Sequence, residues 1–191
     1  MKRVLGLSVL LIVFFLAMNV QAVDLKGKFA FSGAGGLAMP MGDFNDEFKM
    51  GFGGGAEFEY FVLPQLSIGA NFAYNAFKPK DEWVEVFHLL DIDIKDENYT
   101  IMNYGAFGRY YFVTEGKFLP YGKFGFNANT LKFMEDSETK MGISLGAGGM
   151  YMASEMVGVG AEAMFHDIFT TGSSLQYITI YGKLTVFFGA K

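Results

Sequence analysis

The groups that can take a proton, attack a carbon or hold a metal are few in this 191-residue chain. There is no cysteine, which removes disulfides, thiolate metal sites and cysteine catalysis. The two histidines are His88 and His166. His166 stands beside Asp167, with Ser173 and Ser174 following, and these are residue types from which a hydroxyl nucleophile, a base and an orienting acid are built. The spacing does not carry that chemistry: no His-x-Ser pair and no nucleophile elbow occurs, so His166 reads as a polar rim residue. We assign no catalytic residue. His88 and His166 form no metal-ligand spacing, and no metal or cofactor is expected. The glycine-rich stretches are not phosphate loops, because no helix follows them.

Charge falls into two settings. From Lys78 to Asn98 it is dense: Asp81, Glu82, Glu85, Asp91, Asp93, Asp96 and Glu97 against Lys78, Lys80 and Lys95, around the single tryptophan, Trp83. This segment is either a solvated acidic loop or a contact surface, whose contacts would be Trp83, Phe87, Asp91 and Asp93. Asp91-Ile92-Asp93-Ile94 alternates, so it can equally prolong a strand as a hairpin. The Gly and terminal Glu of an EF-hand loop are missing, which argues against specific calcium binding. Elsewhere charges stand singly inside apolar sequence: Lys28, Glu57, Glu59, Arg109, Lys123, Glu162 and Lys183.

The elements that carry these isolated charges alternate with period two. In Phe52 to Val62, Phe52, Phe58, Tyr60 and Val62 oppose Gly53, Gly55, Glu57 and Glu59. In Leu66 to Ala76, Leu66, Ile68, Phe72 and Tyr74 oppose Ser67, Gly69, Asn71 and Asn75. The same contrast sets Met102, Tyr104 and Tyr110 against Asn103 and Arg109, and Phe124 and Phe126 against Lys123 and Asn127. It continues with Ile143 and Leu145 against Ser144 and Gly146, then Val157, Val159 and Phe165 against Glu162 and His166. It closes with Ile178, Ile180 and Leu184 against Thr179 and Lys183. At the front, Phe29 and Phe31 oppose Lys28 and Ser32. Such alternation marks strands with two chemically different faces. A chain that is 51% hydrophobic and 17% aromatic with 25 Gly is poorly suited to long helices, and its net charge of −5 offers no footprint for nucleic acid.

Eight strands result, and their links alternate in length. The short ones are Leu63-Pro64-Gln65, Thr114 to Lys117, and Ser154-Glu155. The longer ones are Met39 to Met50, Lys78 to Asn98, Leu131 to Thr139, and Asp167 to Ser174. Short turns on one side and long loops on the other, with an even strand count, predict an all-β, eight-stranded antiparallel up-and-down transmembrane β-barrel of the bacterial outer membrane, both termini on the short-turn side. Closure removes the sheet edges that lipid cannot satisfy. A positive start at Lys2-Arg3, an apolar run from Val4 to Met18 and the small-x-small Val20-Gln21-Ala22 predict a signal peptide over 1–22, leaving the barrel domain as 23–191. A soluble lipocalin-like barrel would put its apolar residues inside. Glycine and small polar residues sharing the charged face, opposite bulky aromatics, favour lipid outside.

The charged face then lines an interior just wide enough for side chains. Three acids and four bases there predict an ion-pair network that fills the lumen, with a narrow ion path as the alternative. Inward glycines such as Gly53, Gly55, Gly146 and Gly160 could leave room for water. Aromatics near the short turns (Tyr60, Phe61, Tyr110, Tyr111, Phe112, Tyr151, Phe187, Phe188) are candidates for an interfacial girdle.

The chain resembles the small OmpA/OmpX-like and OmpW-like outer-membrane barrels. The resemblance rests on Gly42-Asp43-Phe44-Asn45, Gly51 to Val62 running into the Leu-Pro-Gln turn, Gly108-Arg109-Tyr110-Tyr111-Phe112, and Phe118-Leu119-Pro120-Tyr121-Gly122. It implies an integral outer-membrane protein with a structural, adhesive or surface-interaction role, or a narrow pore. It implies as partners outer-membrane lipid, lipopolysaccharide and the barrel assembly machinery; as a contact surface the acidic loop would bridge to lipopolysaccharide through divalent cations or form an adhesive tip on Trp83, Phe87 and Leu89, and any surface ligand is unknown. The same barrels also host lipid-modifying enzymes, whose catalytic set is thin here. One departure is that Gly189-Ala190-Lys191 follow Phe188, where such proteins end on an aromatic residue used in assembly.

Overall fold

The computed structural model describes residues 25–89, 98–134, 136–170 and 174–189. The segment read as a signal peptide lies outside them. Eight strands pair antiparallel with their sequence neighbours and close into a barrel. They are β1 (Phe29–Met41), β2 (Gly51–Leu63), β3 (Leu66–Phe77), β4 (Tyr99–Tyr111), β5 (Phe118–Phe133), β6 (Asp136–Met152), β7 (Val157–Phe169) and β8 (Ser174–Phe188). Closure runs between the first and last strands, from Phe29 opposite Phe188 to Met41 opposite Gln176.

The alternation becomes two surfaces. Phe31, Phe58, Phe72, Phe124, Phe126, Leu145 and Leu184 are exposed on the outside, while Ser32, Glu59, Asn103, Asn127, Ser144 and Lys183 are buried inside. A water-soluble barrel would have the reverse arrangement, because bulky apolar side chains favour whichever medium is not water. The inward glycines do not simply make room. At Gly55 and Gly160 an added Cβ would run into the backbone carbonyl of the neighbouring strand, from Phe72 and Gly149 respectively. The tightly curved wall brings adjacent strands too close on the inside for a side chain there.

Three links differ from expectation. The stretch 131–139 is not a long loop: β5 and β6 run on until only residues 134–135 separate them. Met134 takes a positive φ of 55° at this turn, and the Thr130 and Thr139 hydroxyls hydrogen-bond at 3.0 Å. Beyond the membrane both faces of a hairpin meet water, so the polar contrast that reveals a strand fades there. The first and second long links instead hold short helices, α1 (Asp43–Glu47) and α2 (Asp81–Leu89).

These two links tie to each other across the barrel mouth. Lys49 N–H donates to the Lys78 carbonyl at 2.8 Å, Lys80 N–H to the Glu47 carbonyl at 2.9 Å, and Lys49 Nζ to Asp81 at 2.7 Å. At the opposite end, Leu25 is fully buried ahead of β1, and Gly27 N–H donates to the Phe61 carbonyl.

Candidate functional site

Alternate positions of β2, β4, β5, β7 and β8 deliver six charged side chains to one level of the lumen. Arg109 is the hub. Its Nη1 donates to Glu59 Oε1 at 2.6 Å, and its Nη2 to Glu57 Oε2 at 2.5 Å and Glu162 Oε2 at 3.3 Å. Lys123 Nζ bonds to Glu57 and, at 3.2 Å, to Glu162; Lys183 Nζ bonds to the same two at 2.6 and 3.2 Å. Ser67 Oγ and the Tyr111 hydroxyl complete the shell of Glu59. Aromatic faces support the cations from the side: Arg109 lies 4.6 Å from the Tyr121 ring centre, and Lys123 lies 4.6 Å from that of Phe107. Three carboxylates thus meet three cations, and the ring is neutral. Neutrality matters because each unpaired ion in such a place would carry a desolvation cost of several kcal/mol.

Of the seven interior charges read from the sequence, six meet here and Lys28 does not. It lies ahead of β1, near Leu25 and the β2 end, and the balance of three against three is complete without it. Parity gives it the inward face, but it stands outside the barrel wall proper.

Above the ring lies a tier of amides. Asn71 Nδ2 donates to Asn103 Oδ1 at 2.6 Å, and Asn103 Nδ2 to Asn129 Oδ1 at 2.7 Å. Asn127 bonds Ser144, and the Tyr181 hydroxyl bonds Asn75. A small cavity of about 40 Å³ lies among Asn75, Asn103, Ser144 and Tyr181. His166 belongs to this tier. Its Nε2 pairs with Thr179 Oγ1 at 3.1 Å and its ring stacks on Tyr177 with centres 4.4 Å apart. Asp167 is carried on the next position of β7 and instead accepts from Gln176 Nε2 at 3.4 Å. His166 and Asp167 are therefore not brought together as base and orienting acid. Ser173 lies outside the described residues.

Both mouths are apolar. On the long-loop side α1 turns Phe44 inward, and Phe44 and Phe48 pack with Phe77, Ile101, Leu131, Ile168 and Tyr177. The Phe44 ring sits 5.0 Å from those of both Phe48 and Phe77. On the short-turn side Leu25, Phe61, Tyr111, Leu119, Tyr121, Met150 and Phe187 fill the lumen. Three of the proposed girdle residues, Phe61, Tyr111 and Phe187, are thus inside. Tyr60, Tyr110, Phe112, Tyr151 and Phe188 are exposed outside. The signal was present: Phe61, Tyr111 and Phe187 share parity with Glu59, Arg109 and Lys183, and parity decides the face. The aromatic stoppers themselves were not legible, since Phe44 and Phe48 enter the lumen from a link and not from a strand.

In the acidic link, Trp83 lies on α2 and is part-exposed. Phe87 is on the same helix, and Asp91 and Asp93 lie outside the described residues.

A closed antiparallel barrel with an apolar outer wall and an ion-paired lumen defines a transmembrane β-barrel of the outer-membrane class. The outer membrane protein beta-barrel domain family matches residues 8–188, and the chain belongs to that family. Its fold is that of NspA, Neisserial surface protein A (15% identity, 84% of this chain and 97% of that one, TM-score 0.58). It is equally that of OprG from Pseudomonas aeruginosa (16%, 90% and 100%, TM-score 0.57) and Ail, the attachment invasion locus protein of Yersinia pestis (14%, 85% and 99%, TM-score 0.57). No curated protein matches the chain. The protein is accordingly an outer-membrane protein in contact with lipid.

Proposed function

We propose that this protein is a non-enzymatic, closed outer-membrane barrel whose function is exercised by the structures it presents at the cell surface. The observation that carries this reading is the filling of the lumen: a neutral ring of six ions between two apolar stoppers. A solute crossing it would have to break the ring and displace the Phe44 layer. Surface contact then falls to the linked α1 and α2 segments, where Trp83 and a dense set of carboxylates face outward. Lipopolysaccharide bridged by divalent cations is the partner that best suits such carboxylates, and assembly would go through the barrel assembly machinery. An adhesive role also fits the name of Ail, although the likeness to that protein is one of fold.

Two measurements test the reading. In planar bilayers the purified barrel should give no discrete current steps at high protein load. Cells carrying the chain with residues 81–97 replaced by a short Gly-Ser link should lose binding to host-cell or lipopolysaccharide-coated surfaces while keeping the barrel in the membrane. A narrow pore is the second reading, favoured by the Asn71-Asn103-Asn129 ladder and the cavity beside it. Current steps altered by Glu57→Gln would establish it in place of the first.

A further inference from the structure

The outer wall is not evenly covered. Neighbouring positions across four strands run Tyr60, Ile68, Gly108, Phe124 in one row and Phe58, Ala70, Ala106, Phe126 in the next. Aromatic ridges on β2 and β5, with Ile68 standing at one corner, therefore flank a low floor of Ala70, Ala106 and Gly108, and the result is an apolar dent of about 510 Å³. The rows above and below are bulky again, with Phe72 opposite Tyr104 and Leu66 opposite Tyr110, so the dent is bounded on every side.

The two glycines at the dent differ in why they are glycine. A Cβ on Gly69 would come within 2.6 Å of the Phe107 ring, which backs the wall from inside. A Cβ on Gly108 would meet nothing within 4 Å. Internal packing thus demands Gly69, whereas nothing in the protein fills the space over Gly108. With Phe107 behind it the dent has a closed floor and is not a passage into the lumen.

We propose that this dent is a seat for one acyl chain of a membrane phospholipid. It is continuous with the lipid-facing belt, and its lining is apolar apart from the Tyr60 hydroxyl, so the occupant must be hydrocarbon. Its depth selects the leaflet. Ile68 lies near the start of β3 and Gly108 near the end of β4, both on the short-turn side. The Tyr110 hydroxyl reaches Gln65 in the β2–β3 turn at 3.4 Å, which places the polar boundary just beyond the dent. The chain seated there belongs to the periplasmic leaflet, with its headgroup beside the Leu63-Pro64-Gln65 turn. Immobilising a chain between ridges keeps dispersion contacts that a passing lipid would not hold. The inference rests on membrane contact alone and is independent of what the loops bind.

The test places the full-length mature chain in nanodiscs of dimyristoylphosphatidylcholine, a fraction of it bearing a nitroxide midway along one acyl chain. Methyl relaxation at Ile68 and Ala106 should exceed that at Leu184 and Val186 on the opposite wall. Native mass spectrometry from mild detergent should retain bound phospholipid. Gly108→Leu, which fills the dent, should abolish both effects, while Gly33→Leu, also into open space on the outside, should leave them intact. Ala106→Leu serves the same purpose if Gly108→Leu does not fold. Equal relaxation on both walls, or lipid retention untouched by filling the dent, would overturn the proposal. So would a dimer that Gly108→Leu dissociates, since the dent would then be an interface between copies.

Discussion

Arg109 concentrates the electrostatics of the lumen: one guanidinium, fully buried, holds all three carboxylates. A planar fork with several donors can do this, whereas a lysine ammonium is a single point charge. Among the described residues, Arg109→Ala leaves Glu59 with only the neutral donors Ser67 and Tyr111 and tips the ring to a net negative charge. Removing one partner of a buried pair costs about 3–5 kcal/mol. Arg109→Ala should therefore lower the urea midpoint of the refolded barrel by a corresponding amount, read from the fraction that keeps its folded electrophoretic mobility. Arg109→Lys should recover only part of the loss. Lys28→Ala should shift the midpoint by less than about 0.5 kcal/mol, as a residue outside the network does. A loss at Lys28 equal to that at Arg109 would sink the distinction between them.

At the scale of elements, the strands and the links obey different rules. A strand inside the membrane is sorted by two media, so its parity is written in its residues. This is why the eight strands and six of the seven interior charges are readable without coordinates. The β5–β6 extension lies beyond the lipid, where the polar contrast is gone, and α1 lies in a link, where strand parity says nothing about Phe44. The α1 stopper supplies a prediction. Phe44→Ala removes the ring that packs on Phe48, Phe77 and Tyr99, and truncating a buried Phe costs roughly 3–5 kcal/mol. Because the strands pair without Phe44, the barrel should still form. The loosening should show as faster amide exchange in residues 43–49, with β2 and β7 unchanged. Equal acceleration throughout would mean that α1 is part of the folding core.

For the whole molecule the central consequence is that inside and outside are exchanged relative to a soluble barrel. The absence of native cysteine makes this directly measurable with single labels. A nitroxide at Phe58→Cys should be broadened by oxygen dissolved in the bilayer. One at Glu59→Cys should be shielded from it or should prevent folding. The membrane fraction should resist carbonate and show different mobility when unboiled and boiled. Removal by carbonate with no mobility shift would contradict an integral closed barrel.

Period-two alternation, an even strand count and the asymmetry of the links determined the class of fold, the lipid-facing wall and the parity of the strand residues within the membrane. They do so because each is a local property that two immiscible media impose on an extended chain. Only the tertiary structure decided which charges meet, because that depends on the stagger of strands around a closed sheet and not on parity. Closure set Arg109 of β4 level with Glu57 of β2 and Glu162 of β7, and it left Lys28 at the rim. Closure also turned the α1 aromatics into a stopper, and it set the β2 and β5 ridges around Gly108. These features join residues far apart in the chain, and their positions follow from the curvature that brings the first strand back to the last.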